Sequence, residues 1–342
     1  MIDFTESSMV DLAIHRMENE TTHGTISISD GTVQITQESK NILHAYFTSH
    51  FKESPFYHFY NDIDIESNEV FACIKSIFND PGSINENTRI LTERLDDLKT
   101  SVKVSELHVA YFNDICMDDE LCDAIGIFKL NFDNQYIKST PINNSCTISI
   151  DKGVDVNKLE KGCLILNTNE SDGYKCVVID KNNVSEPAKY WTESFLSIKP
   201  MEDNYFQTKN FLLMCKDFAS EKFQGASKLD QLALTSESEK YFDGQKHFEK
   251  SSFHEQVLQE PEIIQAFEEF EKGYHEKVDS TLPDEFDIEP SAVKSLKRVF
   301  KSVIKLDKNF HIYVHGNRNY IKKGFDEDTG MNFYQVFYKE EK

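Results

Sequence analysis

Leu107-His108-Val109-Ala110-Tyr111-Phe112 and Ala124-Ile125-Gly126-Ile127-Phe128-Lys129-Leu130-Asn131-Phe132 are short runs rich in β-branched and aromatic side chains, and both read as strands. Three more runs follow at 147–150, 163–167 and 175–180, with Gly, Asn and Asp punctuating the intervals as turn residues do. Short strands at such spacing predict an antiparallel meander over 104–180. Upstream, the alternation in Thr25-Ile26-Ser27-Ile28-Ser29 predicts strands within 8–35, with turns at His23-Gly24 and Asp30-Gly31. A helix is expected over 37–52, because Ile42, Leu43, Tyr46, Phe47, His50 and Phe51 fall on one face. Further helices are expected at 67–79 and 84–99, separated by Pro81-Gly82.

Beyond residue 203 the period changes to helical, at 204–223, 226–234, 250–258 and 261–276. An acidic stretch covers 236–290, and Pro283 and Pro290 punctuate its end. A basic helix is then expected at 290–304, followed by strands at 309–315 and 332–339. A length of 342 residues exceeds what one core usually serves, and Lys199-Pro200 marks a plausible boundary. The expected class is therefore α+β. Residues 1–200 would form a domain of helices and an antiparallel meander. Residues 201–342 would form a mainly helical domain ending in a β-hairpin.

With 26 Phe and 14 Tyr the chain can fill such cores, so the composition is globular despite 28% charged residues. A net charge of −22 excludes a protein that coats nucleic acid or anionic membrane with its whole surface. The N-terminal MIDFTESSMV has no basic segment followed by an apolar one. Apolar runs such as Phe211-Leu212-Leu213-Met214 are far short of the ~20 residues of a membrane span. A soluble, cytoplasmic protein without a membrane partner is expected. Seven Cys, an odd number with no CxxC pair, are expected as buried free thiols in a reducing compartment.

Charge is distributed unevenly. Residues 294–323 hold nine basic side chains, Lys294, Lys297, Arg298, Lys301, Lys305, Lys308, Arg318, Lys322 and Lys323, against the single acid Asp307, a net +8. The rest of the chain carries 28 basic and 58 acidic side chains, a net −30. On a helix over 292–305 the first five cations would share an arc of roughly 100°. Ala292, Val293, Leu296, Val299, Phe300, Val303 and Ile304 would cover the opposite side. Such a stripe can follow a phosphate backbone, and a Debye length of about 10 Å at 0.1 M salt screens the distant acid. The competing reading is an amphipathic helix that docks on the acidic 236–290 segment.

Other constellations carry less chemistry. His311 and His315 lie on an alternating run, and positions four apart on a strand are about 13 Å apart, too far to share a zinc ion. Asp326, Glu327 and Asp328 with Gly330 lack the acid that a calcium loop needs at its twelfth position, where Phe337 stands, and read as a hairpin turn. Asp118, Asp119, Glu120 and Asp123, with Asp114 nearby, could hold Mg²⁺ in a nuclease, yet they too read as a solvated turn. No phosphate loop, dinucleotide fingerprint, HExxH or GxSxG is present. The lone Trp191 is expected as a core anchor.

The run from Val299 to Ile312, Val-Phe-Lys-Ser-Val-Ile-Lys-Leu-Asp-Lys-Asn-Phe-His-Ile, with its continuation Tyr313-Val314-His315-Gly316-Asn317, resembles bacterial nucleoid-associated proteins of the NdpA type. Asp123-Ala124-Ile125-Gly126-Ile127-Phe128-Lys129, Leu159-Glu160-Lys161-Gly162-Cys163-Leu164-Ile165, and Ala188-Lys189-Tyr190-Trp191 with Phe195-Leu196 are similar too. The resemblance covers most of the chain in order and is nearest the Bacteroidetes-like branch. It implies association with the bacterial chromosome, a nucleoid location and a role in chromosome organisation. It brings no catalytic residues and no cofactors. The expected function is non-catalytic DNA binding without strong sequence specificity, through the nine basic residues named above. One alternative is an acidic protein that regulates a basic, DNA-handling enzyme. Another is the metal-dependent nuclease.

Overall fold

A computed structural model describes residues 2–17, 26, 27, 29, 31, 33–51, 55–98, 104–132, 134–143, 145–183, 187–222, 228–278, 280–297, 302–306, 310–314 and 320–340. The chain divides into two compact units, Met1–Met201 and Glu202–Lys342.

The first unit comprises β1 (Ile2–Asp3), β2 (Ser8–Met17), β3 (Ile26–Ser27), α1 (Gln37–Thr48), β4 (Phe56–Phe59), α2 (Glu69–Asn79) and α3 (Ile84–Asp97). After these come β5 (Ser105–Met117), β6 (Glu120–Asn131), β7 (Asn134–Ile142), β8 (Ser145–Gly153), β9 (Lys161–Leu166), β10 (Lys175–Asp180) and β11 (Ile198–Pro200), with a π-helical segment Tyr190–Leu196 before the last. The large sheet runs β11-β4-β10-β9-β6-β5-β2-β3, with β1 also paired to β5, and its neighbouring strands pair antiparallel. The expected meander is its centre. Strands β7 and β8 leave it as a separate hairpin, pairing from Asn134↔Gly153 to Ile142↔Ser145. The expected turn at His23-Gly24 lies outside the described residues.

The central strands are apolar on consecutive residues because both sheet faces are covered. Leu107, Val109 and Tyr111 of β5, Ile125 and Ile127 of β6, and Cys163 and Ile165 of β9 share one core with Phe71 and Ile74 of α2, Leu91 and Leu95 of α3, and Trp191 and Phe195. Ala110, Phe112, Ala124, Phe128, Leu164 and Leu166 point the other way, onto Tyr46 and Phe47 of α1. Trp191 is fully buried, 5.0 Å from the Phe195 ring, and anchors the core as its sequence context suggested. Phe128 lies flat over glycine backbone. A Cβ added at Gly126 would stand 2.5 Å from its ring, and one at Gly162 would stand 3.0 Å away. Phe47 stacks on the opposite side of that ring, with centroids 4.1 Å apart.

The second unit begins with α4 (Asn204–Lys222), α5 (Lys228–Gly244), β12 (His247–Glu249), α6 (Lys250–Phe253), α7 (Pro261–Val278), β13 (Glu285–Asp287) and α8 (Pro290–Leu296). It ends in β14 (Ser302–Leu306), β15 (Phe310–Val314), β16 (Ile321–Asp326) and β17 (Met331–Val336). Its core is an aromatic cluster in which Phe248 of β12 stands 4.3 Å from Phe211 and 4.6 Å from its strand partner Phe286. The mixed α+β class is as expected, and the unit closes in two hairpins where one was expected: β14 pairs with β15, and β16 with β17.

Two expectations need correction. The basic helix does not extend to residue 304. α8 stops at Leu296, and residues 302–306 form a strand in register with 310–314, so Val303 faces Tyr313 and Ile304 faces Ile312 across the ladder. β-Branched Val and Ile fit a strand pair better than a helix terminus, and with a local partner strand available the ladder wins. The cysteines are all free, but only Cys73, Cys163, Cys176 and Cys215 are buried, and Cys146 is exposed on β8.

Candidate nucleic-acid interface

Helix α8 begins where Glu289 accepts a hydrogen bond from the Ser291 amide (3.1 Å), with Pro290 at the first helical position. The Glu289 amide donates to Thr208 Oγ1 of α4 at 3.0 Å, fixing the entry of the helix. Ala292, Val293 and Leu296 are buried, which turns Lys294 and Lys297 outward. The Lys297 ammonium lies 3.6 Å from Asp243 of α5, with both side chains about half exposed. One cation of the basic segment thus meets an acid of the 236–290 stretch, as the competing reading anticipated. An exposed pair of this kind contributes little and leaves the cation available.

Of the other cations singled out from sequence, Lys305 is on β14 opposite His311, and Lys322 and Lys323 are exposed on β16. Arg298, Lys301, Lys308 and Arg318 lie outside the described residues, as does His315. The single helical stripe is therefore replaced by cations shared among the end of α8 and two hairpins. Consecutive strand residues point to opposite faces, so Lys322 and Lys323 serve different sides of β16.

The β16–β17 turn is built by Asp326, whose carboxylate accepts from the Asp328 amide (3.1 Å) and the Thr329 hydroxyl (2.9 Å). The Thr329 hydroxyl, with the Asp328 and Thr329 amides, holds that carboxyl below its usual range. Gly330 takes a left-handed conformation, φ +66°. This is the hairpin turn expected in place of a calcium loop. The acids between β5 and β6 also form a turn: Asp118 (φ 51°) and Asp119 (φ 69°) are both left-handed, as a two-residue hairpin loop requires. Asp123 accepts from the Tyr111 hydroxyl at 2.8 Å. Among the described residues no group of three or more His, Cys, Asp or Glu side chains could hold a metal ion.

Sequence reasoning by charge missed the aromatic residues beside the lysines. Tyr320 and Phe337 are cross-strand partners, with the Phe337 amide donating to the Tyr320 carbonyl at 2.6 Å. Lys322 follows on the same face, its ammonium 5.7 Å from the centre of the Phe337 ring. Next come Gly324 and Phe333, whose ring lies over the glycine so closely that a Cβ there would meet it at 2.3 Å. Tyr320, Phe333 and Phe337 are each more than 40% exposed. The opposite face carries the buried Ile321 and half-buried Tyr334 together with the exposed Phe325 and Val336 and with Lys323, so only one of its two rings is open to solvent. The available signal was the alternation of aromatic and polar residues in Met331-Asn332-Phe333-Tyr334-Gln335-Val336-Phe337 opposite Lys322-Lys323-Gly324.

A depression of about 910 Å³ elsewhere in the second unit is lined by Asp217, Ser220, Glu221, Glu269, Phe270, Gly273 and Tyr274, and is acidic. Among the described residues no helix is long and apolar enough to cross a membrane.

The model of a family described as nucleoid-associated protein YejK matches residues 13–331. A search of curated proteins finds no match.

Proposed function

The chain belongs to the nucleoid-associated protein YejK family, and from that membership we propose that it binds DNA directly through residues 294–323 and the hairpin they lead into, without base readout and without catalysis. The observation that carries this reading is the segregation of charge: +8 in thirty consecutive residues against −30 in all others. Lys294, Lys322 and Lys323 stand exposed there, able to neutralise phosphates and release their counterions. The acid elsewhere is screened beyond about 10 Å at 0.1 M salt, so the basic segment governs the contact while the acidic remainder slows approach at low salt. If about six cations touch phosphate, the log–log dependence of affinity on salt has a slope near −5. Fluorescence anisotropy with a random duplex across a salt series tests this. The variant Lys294→Glu/Lys322→Glu/Lys323→Glu is expected to bind at least about tenfold more weakly and with a shallower slope. Unchanged affinity in that variant would remove the assignment.

The acidic depression lined by Asp217, Glu221 and Glu269 supports a second reading, in which a basic protein that handles DNA docks on this unit. A partner retained from nuclease-treated lysate by the wild-type chain, and lost with Glu221→Lys/Glu269→Lys, favours that reading over direct DNA contact.

A further inference from the structure

We propose that the Tyr320–Phe333–Phe337 face of the β16–β17 hairpin is a stacking platform for the bases of single-stranded DNA. This rests on the reading of the C-terminal segment as a DNA-contacting surface and specifies which form of DNA it takes. Three aromatic rings open to solvent on one sheet face are costly to leave in water, and duplex DNA has no use for them, because its base faces are already stacked on one another. An unpaired strand offers every base face. The geometry suits that ligand. Phe333 of β17 and Phe337, the residue just after it, are four residues apart, about 13 Å on an extended chain, and Tyr320 stands directly across from Phe337. Between the two Phe rings, Lys322 and Gln335 face each other in register. The face therefore alternates ring, charge and hydrogen-bonding group, and ring again. Gly324 lets Phe333 lie down on the strand and present its flat side. Lys322 sits within reach of a phosphate next to a base on Phe337.

Charge points to the same occupant. Lys322 and Lys323 are the last cations of the +8 segment, so the platform adjoins the one region of the chain that attracts phosphate. A chain of net charge −22 is repelled more by a duplex, with one charge per ~1.7 Å of axis, than by a single strand of lower charge density. Stacking is not ionic, so it persists at salt concentrations that remove phosphate contacts.

The experiment is anisotropy with the full chain and a mixed-sequence oligonucleotide in three forms: single-stranded DNA, its duplex, and RNA of the same sequence. The wild-type chain is expected to prefer single-stranded DNA to duplex by at least about tenfold at 0.15 M salt. Phe333→Ala and Phe337→Ala are each expected to weaken single-strand binding, by roughly 5- to 100-fold per ring. Duplex binding should not move in those variants, which also shows that they fold, and Phe333→Tyr should retain single-strand affinity. Single-strand affinity unchanged in Phe333→Ala/Phe337→Ala, or a preference for duplex, overturns the platform while leaving lysine-dependent duplex binding intact. RNA bound as tightly as single-stranded DNA overturns the choice of DNA. Binding to none of the three overturns the DNA reading itself, and this inference falls with it.

Discussion

Asp180 at the end of β10 is the residue on which the chemistry of the sheet unit is most concentrated. Its carboxylate is fully buried, pairs with the ammonium of Lys161, and accepts from the Ala188 amide (3.0 Å) and Asn183 (3.1 Å). Burial pushes this carboxyl up, but the Lys161 ammonium and these donors outweigh it and hold it below the usual range. Lys161 faces Lys129 across the β6–β9 ladder, and both ammonium groups lie 5.3 Å from the centre of the Tyr190 ring. Burial, and then the Lys161 charge, lowers the pKa of Lys129. Three of the stretches that resemble nucleoid-associated proteins, around Lys129, Lys161 and Tyr190, thus meet here. Asp180→Asn removes the anion that pairs with the buried Lys161 ammonium and is expected to cost about 3–5 kcal/mol, whereas Asp180→Leu with Lys161→Met should cost less. Urea unfolding at pH 7.5 measures both. An Asp180→Asn chain that unfolds at the wild-type midpoint contradicts this account of the pair.

At the scale of elements, the contact of β6 and β9 with α1 depends on two glycines giving way to one ring. A methyl group at position 126 would press on Phe128 from beneath while Phe47 blocks retreat above. Gly126→Ala is therefore expected to destabilise by about 1–3 kcal/mol through overpacking, and Gly162→Ala by less, since its methyl meets the ring at a longer distance. Thermal melts of the two variants check the order, and Phe128→Leu in the Gly126→Ala background should restore part of the loss. Elements like these were legible in the sequence because their periods are unambiguous. The face of α1 with Tyr46 and Phe47 and the stripe of α7 keep a helical period, and the apolar runs of β5, β6 and β9 are short, rich in β-branched residues and bounded by turn residues. The basic region fits two templates. Lys294, Lys297, Arg298, Lys301 and Lys305 keep helical spacing, while Val303-Ile304-Lys305-Leu306 and Phe310-His311-Ile312-Tyr313-Val314 fit a hairpin separated by Asp307-Lys308-Asn309. Charge has no preference between helix and strand, so the cations alone cannot choose between them. The β-branched residues and the turn-forming Asp and Asn were the better witnesses. The aromatic face of β16–β17 escaped for a related reason: only the cross-strand register brings Tyr320 to Phe337 and Gly324 to Phe333.

Across the whole molecule, one buried and three partly buried histidines set how stability responds to acid. His15 is completely buried, its Nε2 2.8 Å from the Thr88 hydroxyl and its Nδ1 accepting from the Ser29 amide. Burial, then the charge of His108, lowers its pKa below 6.5. Burial lowers His44 as well, whose Nε2 meets the Ser7 hydroxyl at 2.8 Å. It also lowers His58, against the opposing hydrogen bond to the Asp172 carbonyl, and His254 of the second unit, against the opposing Glu268 carboxylate. In each case the folded value lies below that of the unfolded chain, so between the two the unfolded state binds the extra protons. The slope of stability on pH is then positive: stability is fully present above about 6.5 and is lost as pH falls through the folded values. The depressed carboxyl of Asp180 acts only near pH 4 and below, since its reference value is 3.8. Lys250, burial notwithstanding, is raised by Glu271 and Asp284, so its contribution is present below 10.5 and lost only above it. Stability should therefore be level only from about pH 7 to 8, because above that the unfolded chain begins to release thiol protons that burial makes Cys73, Cys176 and Cys215 keep, and it should begin to fall between pH 7 and 5.5, well before any carboxylate titrates. Urea midpoints recorded from pH 9 to 5 test this, and His15→Asn should flatten the fall in the transition of the first unit. Midpoints that stay level down to pH 5 would mean that these histidines titrate in the fold as they do in the open chain. The same window bears on DNA binding. Lowering the pH makes the net charge of −22 less negative, so under the proposed direct contact with DNA affinity should rise as stability declines, and a pH series of binding is interpretable only above about 7.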